Sequence, residues 1–282
     1  MSNPLTIKEI EGLGYYDFMG YMGIPFFNIG GFASIDRLAE LCKITEHTKI
    51  LEVGCGTGAN ACYLAKTYRC SVVGIDVAEY MVKYAQKRAS DLDLNNRVSF
   101  KVGDAYNLEF QDKEFDLVLT IFVSQFLEPA RVFPEFFRVL KVNGYLGVNE
   151  MYKTDDIPDE ASQRVNYGER VFRELTELPF TIKSPVSWRL AFESAGFSDI
   201  LLEERSNASE KPYANSVSEF GGYISLISTL WKTLVFALKS GKIRKRFGKI
   251  SKVKGVLLQD KLTSKYMGYL LCVGRKPLIY PK

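Results

Sequence analysis

Residues 50–58 read Ile-Leu-Glu-Val-Gly-Cys-Gly-Thr-Gly, and no other stretch restricts the fold as much. Ile50, Leu51 and Val53 form a short apolar run of the kind used by a parallel strand buried on both faces. Gly54, Gly56 and Gly58 follow at once, and 59–66 reads as the start of a helix. Strand, glycine turn and helix in that order hold a small ligand at the carboxyl end of a sheet strand. Glycine belongs where the backbone itself must close on the ligand, because a side chain would hold it off.

The glycine spacing separates two kinds of ligand. A dinucleotide loop follows G-x-G-x-x-G, whereas here Glu52 stands two residues before Gly54 and glycine recurs at every second position to Gly58. A pyrophosphate seeks a helix N-terminus with no carboxylate beside it; a ligand with an ammonium and a sulfonium tolerates one. On residues Glu52 to Gly58 the chain resembles the class I S-adenosylmethionine-dependent methyltransferases. The resemblance implies an α/β, Rossmann-like fold: a seven-stranded, mostly parallel sheet with helices on both faces and an antiparallel last strand. To this the sequence adds an N-terminal helical cover and a helical insertion before the last strand.

Later segments extend the pattern. Residues 70–75 read as a second strand ending at Asp76, where an acid accepts the hydroxyls of a ribose; dinucleotide enzymes place an acid there too. Residues 98–102 read as a third strand before Gly103-Asp104-Ala105, where the resemblance puts an acid at the adenine amino group. Residues 115–120 read as a fourth strand ending at Thr120, 134–140 as a helix, Asn143-Gly144 as a turn and 145–149 as a fifth strand. The resemblance continues through Phe115-Asp116-Leu117-Val118 and Arg138-Val139-Leu140-Lys141, with Val142-Asn143-Gly144 where the family usually has Pro-Gly-Gly. A helix over 188–195, a sixth strand over 198–203 and a seventh over 266–273 complete the set. Met81 either flanks adenine or sits in a helix core. The residues expected to hold S-adenosyl-L-methionine are Glu52, Gly54, Gly56, Gly58, Asp76, Met81, Asp104, Ala105 and Thr120.

Four regions follow from this reading. Residues 1–48 form an aromatic and helical cover, with Tyr15, Tyr16, Phe18, Tyr21, Phe26, Phe27 and Phe32, and a helix over 34–43. Residues 49–150 are the donor-binding core, and 151–185, with Pro158, Pro179 and Pro185, a cap or lid. Residues 186–282 finish the core around an inserted helical, basic segment at about 207–262. In it, 223–238 places Tyr223, Leu226, Ile227, Leu230, Trp231, Leu234 and Leu238 on one helical face. Residues 239–254 carry eight basic side chains and no acid, against a net charge of +4 for the whole chain. One reading is a helix packed on the core followed by a solvated basic loop. The other is a peripheral contact of 223–254 with an anionic membrane.

Composition narrows the setting. No apolar run reaches the roughly 18 residues of a spanning helix, and 1–10 lacks a signal-peptide core. Cys42, Cys55, Cys62, Cys70 and Cys272 form no C-x-x-C pair, which suits reduced thiols in the cytoplasm. His47 is the only histidine, so no metal site is expected; it lies in a polar turn before the first strand, at the end away from the ligand.

Methyl transfer from a sulfonium is an in-line displacement with an activated leaving group, so the protein chiefly positions the reactants. A hydroxyl, thiol or carbon acid acceptor gains from a base, and Glu150 and Tyr21 are the catalytic candidates. Glu150 reads equally well as a helix cap or a salt-bridge partner of the lid. The N-terminal tyrosines read as an aromatic cover over the methyl donor or as a first helix packed on the sheet. Gln125 stands where many small-molecule members of the family carry a histidine, and glutamine is no base. The post-strand-four loop, Thr120-Ile121-Phe122-Val123, is unlike the Asn/Asp-Pro-Pro-Tyr loop of enzymes that methylate base amines. With Phe126 it points to a small apolar or lipid-like acceptor, in a layout similar to the ubiquinone/menaquinone and sterol methyltransferases. Two alternatives stay open: an RNA-modifying enzyme that uses the basic insertion, and a non-catalytic nucleotide-binding protein of the same fold.

Overall fold

The computed structural model describes residues 5–25, 30–206, 217, 220 and 222–278. Phe26, Phe27 and most of 207–221 lie outside the described residues. Seven strands build one sheet in the order β3-β2-β1-β4-β5-β7-β6. They are β1 (Lys49–Val53), β2 (Ser71–Asp76), β3 (Val98–Val102), β4 (Phe115–Ile121), β5 (Leu140–Lys153), β6 (Ser198–Ser206) and β7 (Met267–Arg275). β7 runs antiparallel to both β5 and β6, and the other pairings are parallel. The expected mostly parallel sheet with its antiparallel last strand is therefore present. The order in which successive strands are added reverses between β1 and β4, which themselves run parallel, and this opens a crevice at their carboxyl ends.

Both faces are covered, as a parallel sheet requires. On one face lie α3 (Gly31–Leu41), α4 (Ala59–Tyr68) and α5 (Glu79–Asp91), around Ile35, Leu38, Leu64 and Val82. On the other lie α6 (Pro129–Val139) and α8 (Pro185–Ser194), around Phe133, Phe136, Trp188 and Phe192. β1 and β4 are buried almost throughout, whereas the edge strand β6 keeps an exposed face.

The remaining helices join the first core: α1 (Ile7–Gly12), α2 (Tyr15–Met22), α7 (Asp159–Thr176), α9 (Tyr223–Lys239) and α10 (Gly241–Lys254). Ile10, Phe18, Val165 and Ile243 are their buried contributions. α2 sits hard on α5: a Cβ at Gly20 would lie 2.5 Å from the Met81 nitrogen and 2.7 Å from the Tyr80 carbonyl carbon. Only glycine allows that approach.

Three elements differ from the sequence reading. The basic stretch after 239 is a helix, α10, not a loop. Ser240 caps it by accepting from Ile243 N at 3.1 Å, and Ile243, Phe247, Ile250 and Val253 turn inward at helical spacing. α6 begins at Pro129, with a proline in its first turn where the missing N–H costs nothing; Pro134 is inside the helix rather than at its start. The Asn143-Gly144 pair lies within β5, where Asn143 has φ +65° and the register against β4 shifts between Phe115 and Leu117.

Candidate active site

β1 ends at Val53, and the chain turns over the end of β2. Gly54 N and Cys55 N both donate to Ile75 O, at 2.8 and 2.9 Å. Gly54, Gly56 and Gly58 all have positive φ, yet they serve different contacts. A Cβ on Gly54 would strike Val123 of the loop after β4, at 2.3 Å. One on Gly58 would strike Phe100 and Ala85. One on Gly56 meets nothing within 4 Å, so this residue faces open cleft.

Asp76, at the tip of β2, braces the loop: Oδ2 accepts from Gly56 N and Oδ1 from Ala78 N, each at 2.9 Å. Burial pushes its carboxyl up to about 6, against the pull of those hydrogen bonds. Glu52 lies beneath the loop, buried, and accepts from Asn60 Nδ2 at 3.3 Å; burial raises its carboxyl to about 8. Asp104 lies at the rim, its Oδ1 accepting from Tyr106 N at 2.9 Å.

Opposite stands the loop after β4. Phe122 adopts φ +62°, an uncommon conformation for a bulky residue. It is held from below: Glu150 Oε1 accepts from Val123 N at 2.8 Å and from Ser124 N at 2.5 Å. Thr120 Oγ1 and Ser124 Oγ lie 2.7 Å apart. Glu150 is fully buried, and burial raises its carboxyl to about 8. Its other oxygen has no hydrogen-bond partner among the described residues.

Between the two loops lies a cavity of about 350 Å³, within the range of roughly 300–1,000 Å³ usual for small-molecule pockets. Gly54, Gly56, Asp76, Met81, Asp104 and Ala105 meet on it. Glu52, Gly58 and Thr120 do not reach its wall, and Glu150 is behind the Val123–Ser124 peptide. Tyr21 is not on the cavity: its ring packs edge-on against Tyr80 and Phe236, under the Lys232 ammonium at 4.0 Å. Of the N-terminal tyrosines Tyr15, Tyr16 and Tyr21, it is Tyr16 that lines the cavity, edge-on to Phe126 with ring centroids 6.0 Å apart. Burial, with the charges of Asp76 and Glu150 nearby, holds its phenol well above the ordinary value.

Cavity residues missed from the sequence include Asn60, Val77, Tyr106, Leu127 and Leu178. Val77 carried a signal, since it directly follows the acid that ends β2. Leu178 carried none, because only the fold brings the α7–α8 connection to the cleft.

The sheet order and the glycine loop at its switch point define a class I S-adenosylmethionine-dependent methyltransferase domain. Residues 51–148 match the family model described as a methyltransferase domain, and this part of the chain belongs to that family. The chain is 33% identical over 134 residues to a sterol 24-C-methyltransferase of Debaryomyces hansenii, covering 46% of this chain and 36% of the relative. It is 25% identical over 202 residues to phosphoethanolamine N-methyltransferase 1 of Triticum aestivum, covering 71% of this chain and 38% of the relative. The chain thus spans well under half the length of these curated relatives. Among solved structures it resembles phosphoethanolamine N-methyltransferase 2 of Haemonchus contortus in complex with S-adenosyl-L-methionine, with TM-score 0.68, 16% identity, and coverage of 98% of this chain and 61% of that one. It also resembles the [4+2]-cyclase SpnF, with TM-score 0.64, 24% identity, and coverage of 88% and 81%. At these identities the likeness is one of fold.

Proposed function

We propose that the chain transfers the methyl group of S-adenosylmethionine to a small, apolar acceptor. The supporting observation is that one cavity has two unlike halves. Asp76, Asp104 and the open face of Gly56 form a polar half, and Ile121, Phe122, Val123, Phe126, Leu178 and Pro179 an apolar one. Bound there, the donor supplies a sulfonium methyl that needs only a nucleophile in line. Gly56 makes room for it, Asp76 accepts from its ribose hydroxyls, Asp104 from its adenine amino group, and Met81 packs on the base. Glu52, Gly58 and Thr120 keep these groups in place from below.

Tyr16, a neutral phenol beside the apolar half, donates a hydrogen bond and excludes water. Glu150 acts as a positioning residue: it fixes the strained Phe122 turn rather than taking a proton from the acceptor. The names of the relatives cover unlike acceptors, sterols and phosphoethanolamine, and one structural neighbour is named for a cyclisation. Fold does not choose among them; the apolar wall of the cavity supports the reading of an apolar acceptor. The same wall weighs against the RNA reading, which needs a path for a charged backbone.

Calorimetric titration with S-adenosylmethionine and, separately, with NADH tests the donor assignment. Micromolar binding of the sulfonium alone is expected. Binding of NADH, or a folded chain indifferent to the sulfonium, overturns it. Labelled donor incubated with a membrane lipid extract then tests the acceptor class, the expected label appearing in the apolar fraction.

A further inference from the structure

α9 is inside out. A helix on a globular core turns its apolar side inward and its polar side to water. In α9, Tyr223, Ile224, Ile227, Leu230, Trp231, Leu234 and Leu238 face outward, from 51% exposed at Leu234 to 87% at Ile224. At about 100° per residue these seven fall within a third of the helix circumference. The inner side is the more polar one. Thr229 Oγ1 donates to Gly23 O at 3.5 Å, and the Lys232 ammonium donates to Tyr21 O and covers the Tyr21 ring. Contiguous exposed apolar surface of this kind marks an interaction site.

α10 follows after Ser240 and supplies the charge. Its inner residues, Ile243 and Val253, are buried, and Arg246 is tied down by Leu13 O and the Phe18 ring. Lys239, Lys242, Arg244, Lys245, Lys249 and Lys252 are exposed, and residues 239–254 contain no acid to offset them. An apolar stripe with an exposed tryptophan, next to a run of lysines, matches the two layers of an anionic bilayer surface, acyl boundary and phosphate. A second copy of the chain fits less well, because stripe-to-stripe docking brings two basic helices together.

We propose that α9 and α10 form a membrane-docking surface that lays the outer face of α9 into the headgroup boundary of an anionic bilayer. α9 rests on the C-terminal end of α2, the helix that carries Tyr16 to the cavity.

The test uses the full chain and vesicles of phosphatidylcholine, with and without phosphatidylglycerol. The chain has two tryptophans; Trp188 is fully buried and Trp231 is 68% exposed, so an environmental shift reports Trp231, and Trp231→Phe assigns it. The expected result is a blue shift and co-flotation with the anionic vesicles only. Ile227→Ser with Leu234→Ser, and separately Lys242→Ser, Lys245→Ser and Lys249→Ser together, each lower partitioning by more than about tenfold. All lie on exposed positions, and unchanged melting confirms the fold.

No partitioning overturns the proposal. So does partitioning that ignores the α9 changes, which would mean charge attraction alone. A Trp231 already blue-shifted without vesicles overturns it too: in dilute protein the chain covers its own stripe, and with rising concentration a second copy does. The assay contains no methyl donor, so its failure and a failure of donor binding are separate results.

Discussion

Gly56 concentrates the donor site in one residue. Its Cβ position is empty of protein atoms, so a side chain there would occupy ligand space rather than clash with the fold. Gly56→Val is expected to abolish calorimetric binding of S-adenosylmethionine while costing about 1–2 kcal/mol for a non-glycine residue at φ +51°. Wild-type binding by that variant would remove the loop from the site. Glu150 allows a sharper test. Its carboxyl, ordinarily near 4.5, rises to about 8 in the fold, so at neutral pH it is largely protonated and glutamine is its near-isostere. Glu150→Gln keeps an oxygen for Val123 N and Ser124 N and should retain turnover; Glu150→Ala should lose it, about 1–3 kcal/mol of stability going with the two orphaned amides. A general base would fail in both variants. The folded state holds a proton that the unfolded state has released, so the contribution of Glu150 to stability is full below pH 4.5 and lost as pH rises through about 8. Melting curves of Glu150→Gln should lack that decline. Gly54, Gly56, Asp76 and Asp104 were legible in the sequence because each sits at the end of a strand, where position dictates exposure to the cleft. The choice between Tyr16 and Tyr21 was not, since both lie on one short helix and only its docked rotation separates them.

At the scale of elements, α2 owes that rotation to Gly20. A single methyl there would overlap the backbone of Met81 and Tyr80, which cannot yield as a side chain tip does. Gly20→Ala is expected to cost about 1–3 kcal/mol and to weaken donor binding as Tyr16 and Met81 shift. A loss of stability with unchanged affinity would show that the cover is only a lid on the core. Strand patterning revealed the seven strands along the chain, because buried parallel strands are nearly uniform in their apolarity, whereas the antiparallel entry of the last came from the family resemblance. It missed the length of β5, since Asn143-Gly144 looks like any turn; only pairing with β7 across Tyr145–Lys153 carries the strand past it. It missed α10 because eight basic residues conceal four inward positions spaced three and four apart. Contacts with α1, α2 and α7, not intrinsic propensity, hold such a helix.

Across the whole molecule, no helix among the described residues is long and apolar enough to cross a bilayer, and the contact proposed for α9 and α10 is one made from the surface. The path from that surface to the site is short and continuous. α9 holds α2 through Lys232 and Thr229, α2 carries Tyr16 and meets α5 at Gly20, and α5 carries Met81. If docking on lipid steadies α9, it steadies the wall of the cavity as well, and the two ligands are linked. Linkage is reciprocal: anionic vesicles should tighten S-adenosylmethionine binding by the factor by which the donor tightens vesicle partitioning. A coupling of about fivefold lies at the lower end of ordinary allosteric effects and is measurable by calorimetry with and without vesicles. Lys232→Met keeps the packing stem but removes the donor to Tyr21 O, and should reduce the coupling while leaving partitioning intact, because the outer stripe is untouched. Equal affinities with and without vesicles in the wild-type chain would show that α9 attaches the protein to the membrane without reaching its chemistry.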